Sequence, residues 1–173
     1  MNKHYSIVPA MREHLRAVPV IEQAAASLFS EKDLPAAIRF LVTDRETLVL
    51  AQQDGRMWVA LQKDETPVGF AYVVMLGSDA HLDEMDVHPD HSRRGIGTQL
   101  LQTVIDWGRS SGYAGLTLIT FRHLPWNAPF YTSFGFEPLP TKDSNTEIRR
   151  IIAAEGRAGI NTANRIAMRL KLS

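Results

Sequence analysis

The chain has 173 residues, enough for one domain with one hydrophobic core. Its 45% apolar and 22% charged content is ordinary for a globular protein, and 19 basic against 19 acidic side chains leave no net charge to attract nucleic acid. There is no cysteine, which excludes disulfides, thiolate metal sites and a cysteine nucleophile. No apolar stretch approaches bilayer length, and the opening Met-Asn-Lys-His-Tyr carries no apolar signal core. A cytoplasmic protein with no membrane and no nucleic-acid partner is therefore expected.

From the amino end, Tyr5 to Val8 reads as a short strand. Arg12 to Phe29 has helical spacing at Leu15, Val18, Ile21, Ala25 and Leu28, with Pro19 kinking or splitting it. Asp33 is placed to cap a short helix with Pro35 in its first turn, and Thr43-x-x-Glu46 is a capping-box pattern opening a helix to about Gln53. Arg56 to Leu61 and Val68 to Leu76 flank a polar turn and form a hairpin, after which Gly77-Ser78-Asp79 leads into a strand from Ala80 to Val87. A helix from about Gly95 to Arg109 carries Ile96, Leu100, Leu101, Val104 and Ile105 on one face. Leu116 to Phe121 is β-prone, so that helix is a crossover joining parallel strands. Asn127 can cap a short helix that stops at Gly135, and Phe136 to Leu139 opens a further strand. A long insertion follows with a helix from Thr146 to Ala154, and Asn164 to Leu172 alternates as a final strand. The expected fold is α/β (α+β), a single domain over residues 1–173. It has a mixed central sheet of about seven strands, an antiparallel meander and then parallel strands, with helices on both faces.

The densest chemical signal runs from Asp86 to Leu101: a strand end, the basic turn Ser92-Arg93-Arg94-Gly95-Ile96-Gly97-Thr98, and a helix start. Gly95 and Gly97 let the backbone approach an anion, the first N–H groups of a helix are unpaired donors, and Arg93 and Arg94 add charge. The turn is a phosphate cradle. No lysine follows Gly97, which argues against a nucleoside-triphosphate loop, and Leu100 stands where a dinucleotide fingerprint needs its third glycine.

The stretch from Leu82 to Leu101 resembles the acetyl-CoA-binding motif of the GNAT superfamily of N-acetyltransferases. That motif reads Gln/Arg-x-x-Gly-x-Gly/Ala after a strand ending in Val-x-Pro. Val87, His88, Pro89, Gly95, Ile96 and Gly97 are in register, with Ser92 at the Gln/Arg position. Trp126-Asn127-Ala128-Pro129-Phe130-Tyr131-x-x-x-Gly135-Phe136 resembles the family's Tyr-x-x-x-Gly-Phe signature. The order of elements from Tyr5 to Leu172 is also that of the GNAT fold, so the resemblance covers nearly the whole chain.

The resemblance implies acetyl transfer from acetyl-CoA, as co-substrate and without a metal, to a primary amine by direct attack within a ternary complex. The amine would be a small molecule or a peptide. Strands four and five would splay apart, freeing backbone groups of Met85, Asp86 and Val87 for the pantetheine arm, with the Val87 N–H as oxyanion donor. Cofactor contacts would come from these three residues, from Arg93, Arg94, Gly95, Ile96, Gly97 and Thr98, and from Asn127 and Tyr131. Tyr131 would protonate the leaving thiolate as general acid. The proton acceptor would be His81, Asp83 or Glu84 on the fourth strand. Strict alternation there puts His81, Asp83 and Met85 on one face and Leu82, Glu84 and Asp86 on the other, unless a bulge intervenes. An acyl-CoA-binding regulatory module without transfer activity is the alternative. The resemblance admits a homodimer through the final strand.

Other features read as ordinary structure. His88-x-x-His91 is a solvated loop, because Pro89 breaks the spacing a metal pair would use. Trp58, Phe70 and Tyr72 read as packing residues, and Arg149, Arg150, Arg165, Arg169 and Lys171 as exposed charge. Phe29 lies where the family builds its acceptor wall.

Overall fold

A computed structural model describes residues 5–173; residues 1–4 lie outside it. Seven strands form one sheet in the order β1-β2-β3-β4-β5-β7-β6. They are β1 (Tyr5–Pro9), β2 (Met57–Gln62), β3 (Pro67–Leu76), β4 (Asp79–Val87), β5 (Gly115–Phe121), β6 (Glu137–Pro138) and β7 (Arg165–Lys171). All neighbours pair antiparallel except β4 and β5, which run parallel. The helices are α1 (Val18–Ala26), α2 (Ala36–Arg39), α3 (Arg45–Gln53), α4 (Ile96–Ser110), α5 (Ala128–Thr132) and α6 (Thr146–Arg157). Among the described residues no helix is long and apolar enough to cross a membrane.

Two apolar layers sandwich the sheet. On one face α4 lays Ile96, Leu100, Leu101, Val104 and Ile105 against Ala60, Ala71, Val73, Leu82 and Leu118. On the other, α1 and α3 cover Met57, Val59, Phe70 and Tyr72. The α4 face is close-fitting: a Cβ on Gly69 would stand 3.1 Å from the Asp86 carbonyl oxygen and 3.4 Å from both Ile96 and Leu100.

Several differences from the sequence reading follow from specific partners. The predicted first helix divides into a 3₁₀ turn at Arg12–Ala17 and then α1, with Pro19 in the first helical turn, where a missing N–H costs nothing. Asp33 caps no helix; its carboxylate takes the Ser30 hydroxyl at 2.9 Å and pairs with His123 at 2.9 Å. Helix α3 is capped by Asp44, which accepts the Thr47 N–H at 2.9 Å, because Thr43 is turned away to donate to Glu22. Arg165 and Arg169 are not solvated charge. The first forms a two-point pair with Glu155 and lies 4.4 Å from the centre of the Phe121 ring; the second crosses Gly115 to reach Asp79 at 2.9 Å. The final strand is interior to the sheet, bonded to β5 along its length and to β6 at two positions.

Leu100 is fully enclosed between α4 and the sheet. Leu100→Ala should lower the unfolding free energy by about 2–5 kcal/mol, read by urea denaturation.

Candidate active site

β4 and β5 are paired only from Ala80↔Leu116 to Leu82↔Leu118, although both strands run on, to Val87 and Phe121. Beyond Leu82 the sheet opens. The His88 N–H bonds across to the Val68 carbonyl at 2.8 Å on the β3 side. Main-chain polar groups alternate sides along a strand, so those of Val87 and Met85 face the gap, where β5 no longer pairs.

The same strand carries a bulge. Tyr72 pairs with Glu84, but the next residue, Val73, pairs with Leu82, which leaves Asp83 unmatched. The extra residue reverses the alternation. Ahead of it Leu82 faces α4 and His81 the opposite side with Val74; past it Met85 faces α4, while Glu84 and Asp86 join Tyr72 and Phe70 on the α1 face. Strict alternation therefore fails: His81, Asp83, Glu84 and Asp86 all line one cavity, and Met85 lies across the strand from them, reaching it at the opened edge.

This cavity, of about 420 Å³, also receives Glu22 from α1, Phe29 just past it, Arg39 from α2, Asn127 and Tyr131 around α5, and Glu155 and Arg165. Tyr131 is 9% exposed and its hydroxyl has no hydrogen-bond partner among the described residues. Burial, and then the negative Glu84 and Asp86, raise its pKa, so it stays a donor at neutral pH. Burial pushes Asp86 up to about 7, reinforced by Glu22 and opposed by a hydrogen bond from Glu84. Glu84 lies well above the usual carboxylate range through burial and the charges of Asp86, Glu22 and Asp83. The pair thus shares a proton, with Glu84 donating and Asp86 accepting.

His81 is buried, and desolvation pulls its pKa down to about 4, so its ring is neutral at pH 7. Its Nδ1 stands 2.8 Å from the Thr117 hydroxyl, whose own proton reaches the Ala80 carbonyl at 3.3 Å. With that proton committed, Nδ1–H is the donor and Nε2 a free acceptor. Nε2 faces Asp83 Oδ1 at 4.0 Å. The other Asp83 oxygen accepts the Tyr72 hydroxyl at 2.6 Å, a polar role for a ring otherwise in the core.

The glycine turn lies at the carboxyl end of β4. Arg93 (φ 58°) and Gly95 (φ 78°) are both left-handed, and α4 begins at Ile96 with no side chain capping it. Among the described residues the N–H groups of Ile96, Gly97 and Thr98 have no acceptor. A Cβ built on Gly97 would meet nothing nearer than Phe130 at 4.0 Å, so the space in front of these donors is open. The residues present fit a diphosphate. Arg94 donates to the Tyr5 hydroxyl at 3.0 Å and to the Asp90 carbonyl at 3.2 Å, and His91 meets the same hydroxyl at 2.9 Å. His91 is thus held by β1, and no group of three metal-ligating side chains occurs among the described residues.

Sequence reasoning missed Glu22, Glu155 and Arg165 as cavity residues. Glu22 left a trace, being an acid on the stripe Val18, Ile21, Ala25 that α1 buries.

A mixed sheet opening between two parallel strands, with a bare helix start at the end of one and a buried tyrosine beside the gap, has the architecture of an N-acetyltransferase. The sequence profile of the Acetyltransferase (GNAT) family matches residues 19–136, well over half the chain, and the protein belongs to that family. Among solved structures, the ribosomal-protein-S18-alanine N-acetyltransferase of Escherichia coli is similar at 22% identity and TM-score 0.66, with 98% of this chain and 94% of that one covered. The PaiA N-acetyltransferase of Thermoplasma acidophilum, solved with coenzyme A, is similar at 19% identity and TM-score 0.67, covering 96% and 98%. A GCN5-related N-acetyltransferase of Rhodopseudomonas palustris is similar at 22% and TM-score 0.68, covering 98% and 97%. At these identities the likeness is one of fold.

Between the ordinary carboxylate range and about pH 7 the folded protein holds a proton on Asp86 that the unfolded chain has released, so stability falls as pH rises through that window. Asp86→Asn should melt higher than the parent at pH 8 and level with it at pH 4. The gain is about 2–4 °C for each kcal/mol relieved, read by thermal denaturation.

Proposed function

We propose that this protein transfers the acetyl group of acetyl-CoA to a primary amine by direct attack in a ternary complex. The observation that carries this reading is the convergence of Tyr131 and the proton-sharing pair Glu84–Asp86 on the gap between β4 and β5. The bare amides of Ile96, Gly97 and Thr98 would hold the diphosphate, with Arg93 and Arg94 adding positive charge near it. Met85 and Val87 would offer main-chain groups to the pantetheine arm, and the Val87 N–H is the donor available to a carbonyl oxygen in the gap. Asn127, whose Oδ1 is buried without a partner, adds an acceptor to the same wall. Acetyl-CoA supplies the activated acyl group.

An amine enters mostly as ammonium and must lose a proton before it can attack. Asp86, poised near neutrality, takes that proton as general base with Glu84 sharing it. His81, neutral at working pH, and Asp83 hold the acceptor away from its reacting nitrogen through Nε2 and Oδ1. Tyr131 donates to the departing sulfur and is reprotonated by the carboxyl pair with the proton taken from the ammonium, while the second nitrogen proton, lost as the amide forms, leaves through the same pair to solvent. Thiol release thus needs no net proton from solvent. With no cysteine in the chain, no acetyl-cysteine is formed. A cytoplasmic location goes with this donor.

Tyr131→Phe should cut kcat by on the order of 10²-fold while acetyl-CoA affinity changes little, measured by free-thiol release across an amine panel and by calorimetry. Unchanged kcat removes Tyr131 from the chemistry. Tight CoA binding with no release from any amine replaces the enzyme with a binding module.

A further inference from the structure

Resting on that reading, we infer that the acceptor is a linear aliphatic amine carrying two or more ammonium groups. The cavity holds four carboxyl groups, Glu22, Asp83, Glu84 and Asp86, that no lysine or arginine among the described residues pairs, and the His81 ring 4.0 Å from Asp83 is neutral at pH 7. Arg165, the nearest cation by its effect on Glu84, is engaged by Glu155 at 2.7 and 2.8 Å. Arg39 donates to the carbonyls of Phe29 and Leu34. The only donors the carboxylates find are neutral: Thr43 for Glu22, Tyr72 for Asp83, and the shared proton of the Glu84–Asp86 pair. Even with one proton shared between Glu84 and Asp86, a single ammonium leaves Glu22 or Asp83 without a counter-charge.

Independent of the acids, the cavity contains polar groups with nothing to bond. Tyr131 is 9% exposed with an unpartnered hydroxyl, and Asn127 Oδ1 is buried and unpaired. His81 Nε2 and Asp83 Oδ1 are two acceptors facing each other across 4.0 Å, a gap that an N–H donor fills. Against two donors, the Tyr131 hydroxyl and the buried Arg39 Nε–H, stand three acceptors, Asn127 Oδ1, His81 Nε2 and Asp83 Oδ1, so the missing ligand brings N–H groups. Between the polar groups the walls are apolar: Phe29, Leu34, Ile38 and Leu41 on one side, Ile151 and Ile160 on the other. Methylenes separating ammonium groups match that alternation. An acceptor bearing a carboxylate would set like charge against Asp83 or Glu22.

Glu84 and Asp86 are the acids that act on Tyr131, so the reacting nitrogen lies between them and the tyrosine. Glu22 and Asp83 take the remote ammonium. The transfer step balances without a further reactant: the amine nitrogen bonds to the acyl carbon, the carbon–sulfur bond breaks, and of the two protons the ammonium loses, one ends on sulfur and the other passes to solvent.

The test uses the full chain with saturating acetyl-CoA and free-thiol release. Linear acceptors of four to eight carbons are each supplied as the monoamine, the α,ω-diamine and the ω-amino acid. The expected result is a kcat/KM for the best diamine about 100-fold above that of the monoamine of equal length, with the amino acid lowest. Glu22→Gln and Asp83→Asn, checked for folding by thermal denaturation, should each lower the diamine preference about tenfold. Equal rates for monoamine and diamine, or a preference for the amino acid, overturn the inference and leave the acetyltransferase standing. No release from any of the series also overturns it: a peptide amine that then reacts preserves the transferase, and no reactive amine of any kind removes both.

Discussion

The bond between β4 and β5 ends at Leu82 and Leu118, and the rest of the site depends on that interruption. A strand with one flank unpaired inside a sheet leaves hydrogen-bonding groups that need partners. Here the free flank of β4 lies beside the cavity, so an extended ligand arm can complete the sheet where β5 withdraws. The bulge at Asp83 falls just past the parting, and it turns two acids toward α1 in place of one. Gap and bulge together convert a plain strand into a wall with free main-chain groups on its edge and a cluster of acids on its face.

That wall is electrostatically costly. Glu22, Glu84 and Asp86 are all raised above their ordinary values, first by burial and then by neighbouring acids, Asp83 for Glu22 and Glu22 for Asp86 among them. The five apolar side chains of α4 seal one face of the sheet. The acids occupy the opposite face, at the end of the layer that α1 and α3 form, where α1 packs on β4.

Much of this was legible in the residues. The α4 face, the parallel crossover and the glycine turn follow from local pattern, because apolar spacing and left-handed glycine are properties of a few neighbouring residues. The seven strands emerged in the expected order for the same reason. The two reversals had non-local causes. Thr43 lost the capping role to Asp44 because Glu22, from a different helix, captured it. Alternation on β4 failed because register against β3 shifts by one at Tyr72, and register is a relation between strands that one strand's sequence does not carry. The membership of the acid cluster was hidden likewise. Asp86 was visible only as a cofactor neighbour, and Arg165 only as surface charge, until Glu155 in the insertion was found beside it.

Tyr5, near the amino end of the chain, is bonded to both His91 and Arg94 in the anion turn. Its place is set by β1, which pairs with β2 from Tyr5↔Gln62 onward. Because side chains in a strand point alternately up and down, a slip of β1 by one step would swing this phenol to the far side of the sheet and cut the tether. The posture of the glycine turn is therefore inherited from the outermost strand, more than eighty positions away in sequence.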